Sequence, residues 1–353
     1  MNWNFVIFSV IKIAIVIGVV QGMVAYSVLA ERKISAWIQD RVGPNRTAPP
    51  FMRFVPVLGP FLTRLGVFQP LADGLKFMLK EDFTPAGVRK VYFWLAPALA
   101  VIPSMLIIAV IPFGSQIGNQ KMVISDLNVG ILYTFGIVSL GVYGIVLAGY
   151  AANSKYSFLG GIRSSAQMIS YEISMGMSVI PVFLIVGSLN LSQIISWQAS
   201  NGWLVIYSPL SFIIFLVASF AETNRLPFDL PESETELVGG YHTEYSSMKF
   251  ALFFLGEYSN MIASAAMMVT LFFGGWTFPL FGLDHSATTL GQGIAHLLVF
   301  VVKMLSFMVL FIWVRWMFPR FRYDQLMDLG WRRFLPLALV NILITAIVLW
   351  MRS

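Results

Sequence analysis

Eight apolar runs, at about 5–30, 92–112, 129–151, 166–188, 203–221, 250–274, 294–315 and 334–351, fix what this chain can become. Each is close to the ~20 residues that an α-helix needs to cross the hydrocarbon of a bilayer. Composition agrees: with 58% hydrophobic and 11% charged residues among 353, and a mean hydropathy of +0.77, there is too little polar surface to cover a soluble globule. The first run has no positive charge ahead of it and exceeds the ~7 to 15 residues of a signal-peptide core, so it is expected to remain as a membrane helix. No tandem repeat, low-complexity tract or soluble domain interrupts the pattern. The expected fold is an all-α integral membrane protein, one membrane domain over 1–353, with about eight transmembrane helices and amphipathic surface helices on one side.

The loops set the orientation. Those after runs one, three, five and seven hold ten, two, two and five Lys or Arg residues, whereas the opposite loops and both termini hold only Lys121 and Arg352. Positive charge accumulates on the cytoplasmic side, so both termini are expected outside and the large loops inside. In the first large loop, QPLADGLKFMLKED sets Leu71, Leu75, Met78 and Leu79 against Asp73, Lys76, Lys80 and Glu81, an amphipathic helix for the membrane surface or the underside of another subunit. Asp73 and Lys76 share one of its faces.

One of these loops departs from the basic rule. Residues 222–249 hold Glu222, Asp229, Glu232, Glu234, Glu236 and Glu244 against Arg225 and Lys249, more than a third of the chain's seventeen acidic residues. A solvated acidic loop is the plain reading. Yet Asp229, Glu232 and Glu236 have the spacing of one helical face, with Pro231 suited to the first turn and Ser233 with Glu236 to a capping box. Crowded carboxylates resist ionising together. Arg225 is the expected local counter-charge.

Charge also lies within the apolar runs. Glu172, Glu257, Lys303 and Lys12 sit inside predicted helices, and Glu222 ends the fifth. A charge in hydrocarbon costs ~2.5–3.5 kcal/mol even on permissive scales, which makes the glutamates functional candidates. The lysines can equally snorkel or pair structurally. Convergence of Glu172, Glu222 and Glu257 would give a polar path suited to protons.

Several chemistries are excluded. Cysteine is absent, so this chain holds no disulfide, thioether haem, or cysteine-bound zinc or iron–sulfur cluster. His242, His285 and His296 are too scattered for a metal site. Motifs for nucleotide binding and acyl transfer are missing. The basic residues, despite a pI near 9.5, are interleaved with apolar runs, which argues against nucleic acid.

Five segments, AERKISAWIQDRVGPNR, QPLADGLKFMLKED, GGIRSSAQMISYE, AETNRLPFDLPESETELVGGYHTEYSSMKFALFFLGEY and VRWMFPRFRYDQLMDLGW, together resemble the quinone-site membrane subunit of respiratory complex I, NADH-quinone oxidoreductase. They follow that family's order and span most of the chain. The resemblance implies a subunit at the junction of the membrane and peripheral arms, in a bacterial inner membrane or alternatively the mitochondrial one. It would supply most of the tunnel by which quinone, ubiquinone or menaquinone, reaches a neighbouring subunit's terminal iron–sulfur cluster. Flavin mononucleotide (FMN) and iron–sulfur clusters would belong to partner subunits alone, and the partners would be the quinone-site subunits of the peripheral arm and the adjacent membrane-arm subunits. Carried over by position, Glu31, Arg32, Arg41, Asp73, Arg225 and Arg315 would be tunnel charges. Asp229, Glu232, Glu234, Glu236, Glu222, Glu172 and Glu257 would couple quinone reduction to proton translocation.

The resemblance breaks between Thr47 and Phe68, where TAPPFMRFVPVLGPFLTRLGVF replaces a much shorter family link. Two rivals frame the reading. A secondary transporter would fit eight spans with buried carboxylates but would show repeated halves. A membrane-bound hydrogenase relative would keep the fold without quinone, and NRLPFDLPESETELV favours the quinone enzyme.

Overall fold

The computed structural model describes residues 3–50, 58–117, 120–231, 238–279 and 282–352. Its helices are α1 (Trp3–Ile38), α2 (Leu58–Leu65), α3 (Gln69–Leu79), α4 (Lys90–Ile107), α5 (Gly130–Ala151), α6 (Lys155–Val186), α7 (Leu191–Asn201), α8 (Leu204–Tyr207), α9 (Pro209–Glu222), α10 (Ser247–Phe272), α11 (Leu290–Met317), α12 (Tyr323–Asp328) and α13 (Leu335–Arg352). A two-stranded hairpin, β1 (Gln116–Ile117) and β2 (Gln120–Lys121), is the only sheet among the described residues.

Seven of the eight expected crossings are present as helices long and apolar enough to span a bilayer, several reaching well beyond their apolar runs. α1 continues eight residues past Ala30 to Ile38, and α6 begins at Lys155. Hydropathy ends where polar residues begin, but the helical backbone does not.

The eighth differs. The expected span at 203–221 is broken at Ser208, which takes φ −140°, ψ 69° before Pro209 and divides α8 from α9. Proline's ring disfavours a helical conformation in the preceding residue and lacks the N–H that would continue the ladder. The remaining α9 has 14 residues, a rise of ~21 Å against a hydrocarbon layer of ~30 Å. A half-helix of this kind is tolerated only where protein surrounds its open end. Ser208 and Ser211 provide this: they bond each other at 2.8 Å, and Asn341 of α13 donates to Ser211 at 2.8 Å. The other end of α9 delivers Glu222 into the bundle.

α6 is the central element, in contact with α5, α9 and α13, while α10 packs on α4, α11 and α1. Close backbone approach makes this possible. A Cβ on Gly144 of α5 would meet the Ala100 nitrogen of α4 at 2.7 Å, and one on Gly256 of α10 would meet the Ala100 carbonyl oxygen at 3.0 Å. Small residues let membrane helices approach to backbone contact. Residues 225–231 pack mostly inside, with Arg225, Phe228, Asp229 and Leu230 buried. The start of the acidic segment is therefore no solvated loop. Its expected helix after Pro231, with the Ser233–Glu236 capping box, lies outside the described residues.

The amphipathic helix is present as α3, held by Ser247, whose hydroxyl donates to the Phe77 and Lys80 carbonyls at 2.9 Å each. Leu71, Leu75, Met78 and Leu79 face outward. Within the stretch that departs from the family pattern, the described residues include α2.

Candidate functional site

Where α1 and α11 end, α10 begins and the segment after α9 turns back, four elements bring charges together out of solvent. Arg225 is the hub, its side chain 2% exposed. One terminal nitrogen, Nη1, donates to Glu31 Oε2 at 2.9 Å, and Nε lies 2.8 Å from Glu257 Oε1. Its guanidinium also stacks over the Tyr258 ring, 4.3 Å from the centroid. Burial disfavours the charge on Arg225, but the carboxylates of Glu257 and Glu31 more than offset this and raise its pKa above the ordinary arginine value.

Glu31 is shared. Its Oε2 also accepts from the Tyr258 hydroxyl at 2.7 Å, and its Oε1 contacts Arg315 Nη1 at 2.6 Å. Each oxygen of Glu31 thus takes a charge-assisted bond from a different arginine, about twice as strong as a neutral one, and the shared carboxylate ties α1, α10, α11 and the segment after α9 into one geometry. The sequence separations, 194 and 227 residues for the Arg225 and Tyr258 bonds, mean that only the finished fold assembles it.

Arg225 therefore serves the interior and not the acidic loop as expected, because Glu31 and Glu257 present their carboxylates inside the bundle. Asp229 instead pairs with Arg320 at 3.0 Å. Glu232, Glu234 and Glu236 lie outside the described residues. Asp73 belongs to a separate, more exposed group: it binds Arg32 at 2.7 Å and Gln69 Nε2 at 3.0 Å. It does not use Lys76, which points outward on α3. Arg41 is exposed just past the end of α1, outside both groups.

A second set of acids runs deeper. Glu172 of α6 accepts a hydrogen bond from Ser139 of α5, and α6 packs against α9, whose last residue is Glu222. Glu222 is buried, and its Oε2 has no hydrogen-bond partner. It adjoins two small cavities, one reaching Glu257 and Asn224, the other reaching Thr134 and Ser264. Each leaves about 30 Å3 in which the centre of a water molecule can sit, against the ~10–15 Å3 that one water needs. Glu257, Glu222 and Glu172 thus form a series of acids with polar space between the first two.

The embedded lysines are otherwise engaged. Lys303 donates to the Phe273, Gly275 and Thr277 carbonyls at 2.7, 3.1 and 2.6 Å, and Lys12 to those of Lys121 and Val123 at 3.1 and 3.2 Å. Sequence reasoning missed Tyr258, Ser139, Asn260 and Arg320. Tyr258 had the strongest signal, a phenol beside Glu257 in an otherwise apolar run.

Among the described residues no cluster of three or more His, Cys, Asp or Glu side chains is arranged to hold a metal ion. The family model for NADH dehydrogenase matches residues 11–346. An H-type subunit of the NADH-quinone oxidoreductase of Cytophaga hutchinsonii is 47% identical over 349 residues, covering 97% of this chain and 95% of its own. Its counterpart in Geobacter metallireducens is 49% identical, with 97% and 96% covered, and that of Paramagnetospirillum magneticum 49%, with 98% and 93%. With the model and these relatives matching nearly end to end, the chain belongs to the NADH dehydrogenase family, as an H-type subunit of the membrane arm of NADH-quinone oxidoreductase.

Proposed function

We propose that this subunit forms the greater part of the quinone tunnel and converts quinone reduction into proton movement through Glu257, Glu222 and Glu172. The observation that carries the reading is the continuity between the buried Arg225 hub and the acid series: Glu257 is at once the ion-pair partner of Arg225 and a wall of the cavity that Glu222 shares. A change of charge felt by Glu31 or Arg225 is thereby felt by the first acid of a path into the membrane interior. The exposed group of Arg32 and Asp73, with Arg41 and Arg315, faces the same end and supplies the tunnel's charges. Quinone is the substrate, and electrons arrive from an iron–sulfur subunit of the peripheral arm docked there, since this chain contains no cysteine to hold a cluster. FMN and the iron–sulfur clusters belong to those partners.

The subunit is an inner-membrane protein. The excess of Lys and Arg in the loops at the hub's end supports a cytoplasmic position for the hub, with both termini on the outer face.

Glu222→Gln tests the path. Glutamine keeps shape and removes the exchangeable carboxyl proton. The assembled complex should retain NADH oxidation with a soluble artificial acceptor and lose quinone-linked turnover and pumping together, on the order of tenfold or more given what a positioned acid–base group contributes. Parental pumping rate and ratio in Glu222→Gln would sink the reading.

A further inference from the structure

The two cavities beside Glu222 share only two lining residues, Glu222 itself and Asn260. Asn260 stands on α10, three residues after Glu257 and four before Ser264. Residues spaced by three and seven fall on one helical face, so the acid, the amide and the hydroxyl form a ladder looking toward α9. Glu257 lines the first cavity and Ser264 the second, with Asn260 on both.

We propose that Asn260 is the positioning residue that orients the water between Glu257 and Glu222 in the first cavity and hands that water contact on to the inner cavity. The proposal rests on the proton path suggested above and adds to it the group that orients the water along it. An amide presents an acceptor on Oδ1 and two donors on Nδ2 and can therefore orient water on either side. It keeps its own protons. A proton leaving the Glu257 carboxyl passes to a water bound at Asn260, and that water releases one of its protons to the Glu222 carboxylate. Glu257 ends one proton poorer, Glu222 one richer, and water and amide are unchanged, with no oxidation or reduction. The free Oε2 of Glu222 is the atom placed to receive it. Replacing the amide by a hydrocarbon of similar size should break the water contact without opening a void.

The test uses the whole complex in membranes, with Asn260→Leu, Asn260→Ser and Glu222→Gln compared. Artificial-acceptor NADH oxidation reports the amount assembled. Asn260→Leu should lower quinone-linked turnover on the order of tenfold and enlarge its solvent deuterium isotope effect, as proton transfer becomes rate-limiting. Asn260→Ser, which restores a donor and acceptor and leaves room for more water, should recover most of both. A purely structural role would not move the isotope effect and would not distinguish leucine from serine in this direction. If Glu222→Gln is impaired while Asn260→Leu turns over and pumps as the parent does, the Asn260 assignment is overturned and the acid path stands. If Glu222→Gln itself behaves as the parent, the path fails and this assignment fails with it.

Discussion

The embedded acids and the embedded lysines violate the same rule of membrane composition, yet the fold treats them in opposite ways. Lys303 spends all three ammonium protons on backbone carbonyls just beyond the end of α10, where a cation also complements the helix dipole. Lys12 is tied to the carbonyls of Lys121 in β2 and of Val123 just after it. Every one of these hydrogen-bond partners is main chain, so neither lysine is bonded to a group that titrates. Glu31, Glu257, Glu172 and Glu222 instead meet other side chains or cavities, and one oxygen of Glu222 meets no partner. An embedded charge bonded only to backbone is a fastener, whereas one bonded to titratable side chains can report on them.

The hub gives the largest expected effect. Arg225→Ala leaves Glu257 buried without its cation and strips one of Glu31's two arginines. Breaking a buried ion pair by removing one partner costs ~3–5 kcal/mol. The comparison is Lys249→Ala, because Lys249 is also buried and paired, to Asp82 at 3.0 Å and over the Trp94 ring at 3.8 Å, but it touches none of the acid series. Both variants should reduce assembled complex. Only Arg225→Ala should also depress turnover per assembled complex, by roughly tenfold or more, and Arg225→Lys should not rescue it, since one ammonium cannot imitate the planar fork that reaches two carboxylates. Equal turnover per complex in the two alanine variants would dissolve the distinction between hub and fastener.

Lys303→Met sharpens the other side. Methionine fills similar volume but abandons three carbonyls, each carrying an unmet bond worth ~1–3 kcal/mol when buried. The expected result is less complex and a lower melting temperature, with turnover per complex and pumping ratio within about twofold of the parent, the spread that context alone gives small effects. A large fall in pumping ratio at normal assembly would move Lys303 into the proton machinery.

Much of the fold was legible because hydropathy periods report helices directly: the membrane spans and α3 follow from apolar spacing. Helix ends were not, as at α6, where Lys155 to Ser165 is helical ahead of the apolar run and buries Ser157, Gly160, Gly161 and Ser164. The break at Ser208 was written in the Ser-Pro dipeptide but hidden inside a run whose length suggested a full crossing. For the site, Glu172, Glu222 and Glu257 stood out because charge in an apolar run is conspicuous. Pairings did not. The sequence offered Arg225 an acidic loop as neighbour, and the fold gave it Glu31, 194 residues away, because only tertiary packing selects among partners of equal charge.

The smallest effect belongs to His242, beside the hub's segment but outside the membrane helices. Its ring sits edge-on to Tyr241, Phe250 and Phe254, with centroids 5.0, 5.2 and 6.1 Å apart. Burial lowers its pKa from 6.5 to about 4, so the folded protein holds the ring neutral where an unfolded chain would begin to charge it. Between pH 6.5 and 4 the unfolded state binds the extra proton. The stability due to the neutral ring is therefore fully present above about pH 6.5 and is lost as pH falls toward 4. His242→Phe keeps an aromatic ring in the cluster and removes the titration. The solubilised complex carrying it should lose less of its melting temperature than the parent across that window, while quinone-linked activity between about pH 7 and 8 stays unchanged, because the ring is neutral there in both. An unaltered slope of stability against pH in His242→Phe would mean that the acid lability of this region comes from the carboxylates of the hub and not from the histidine beside it.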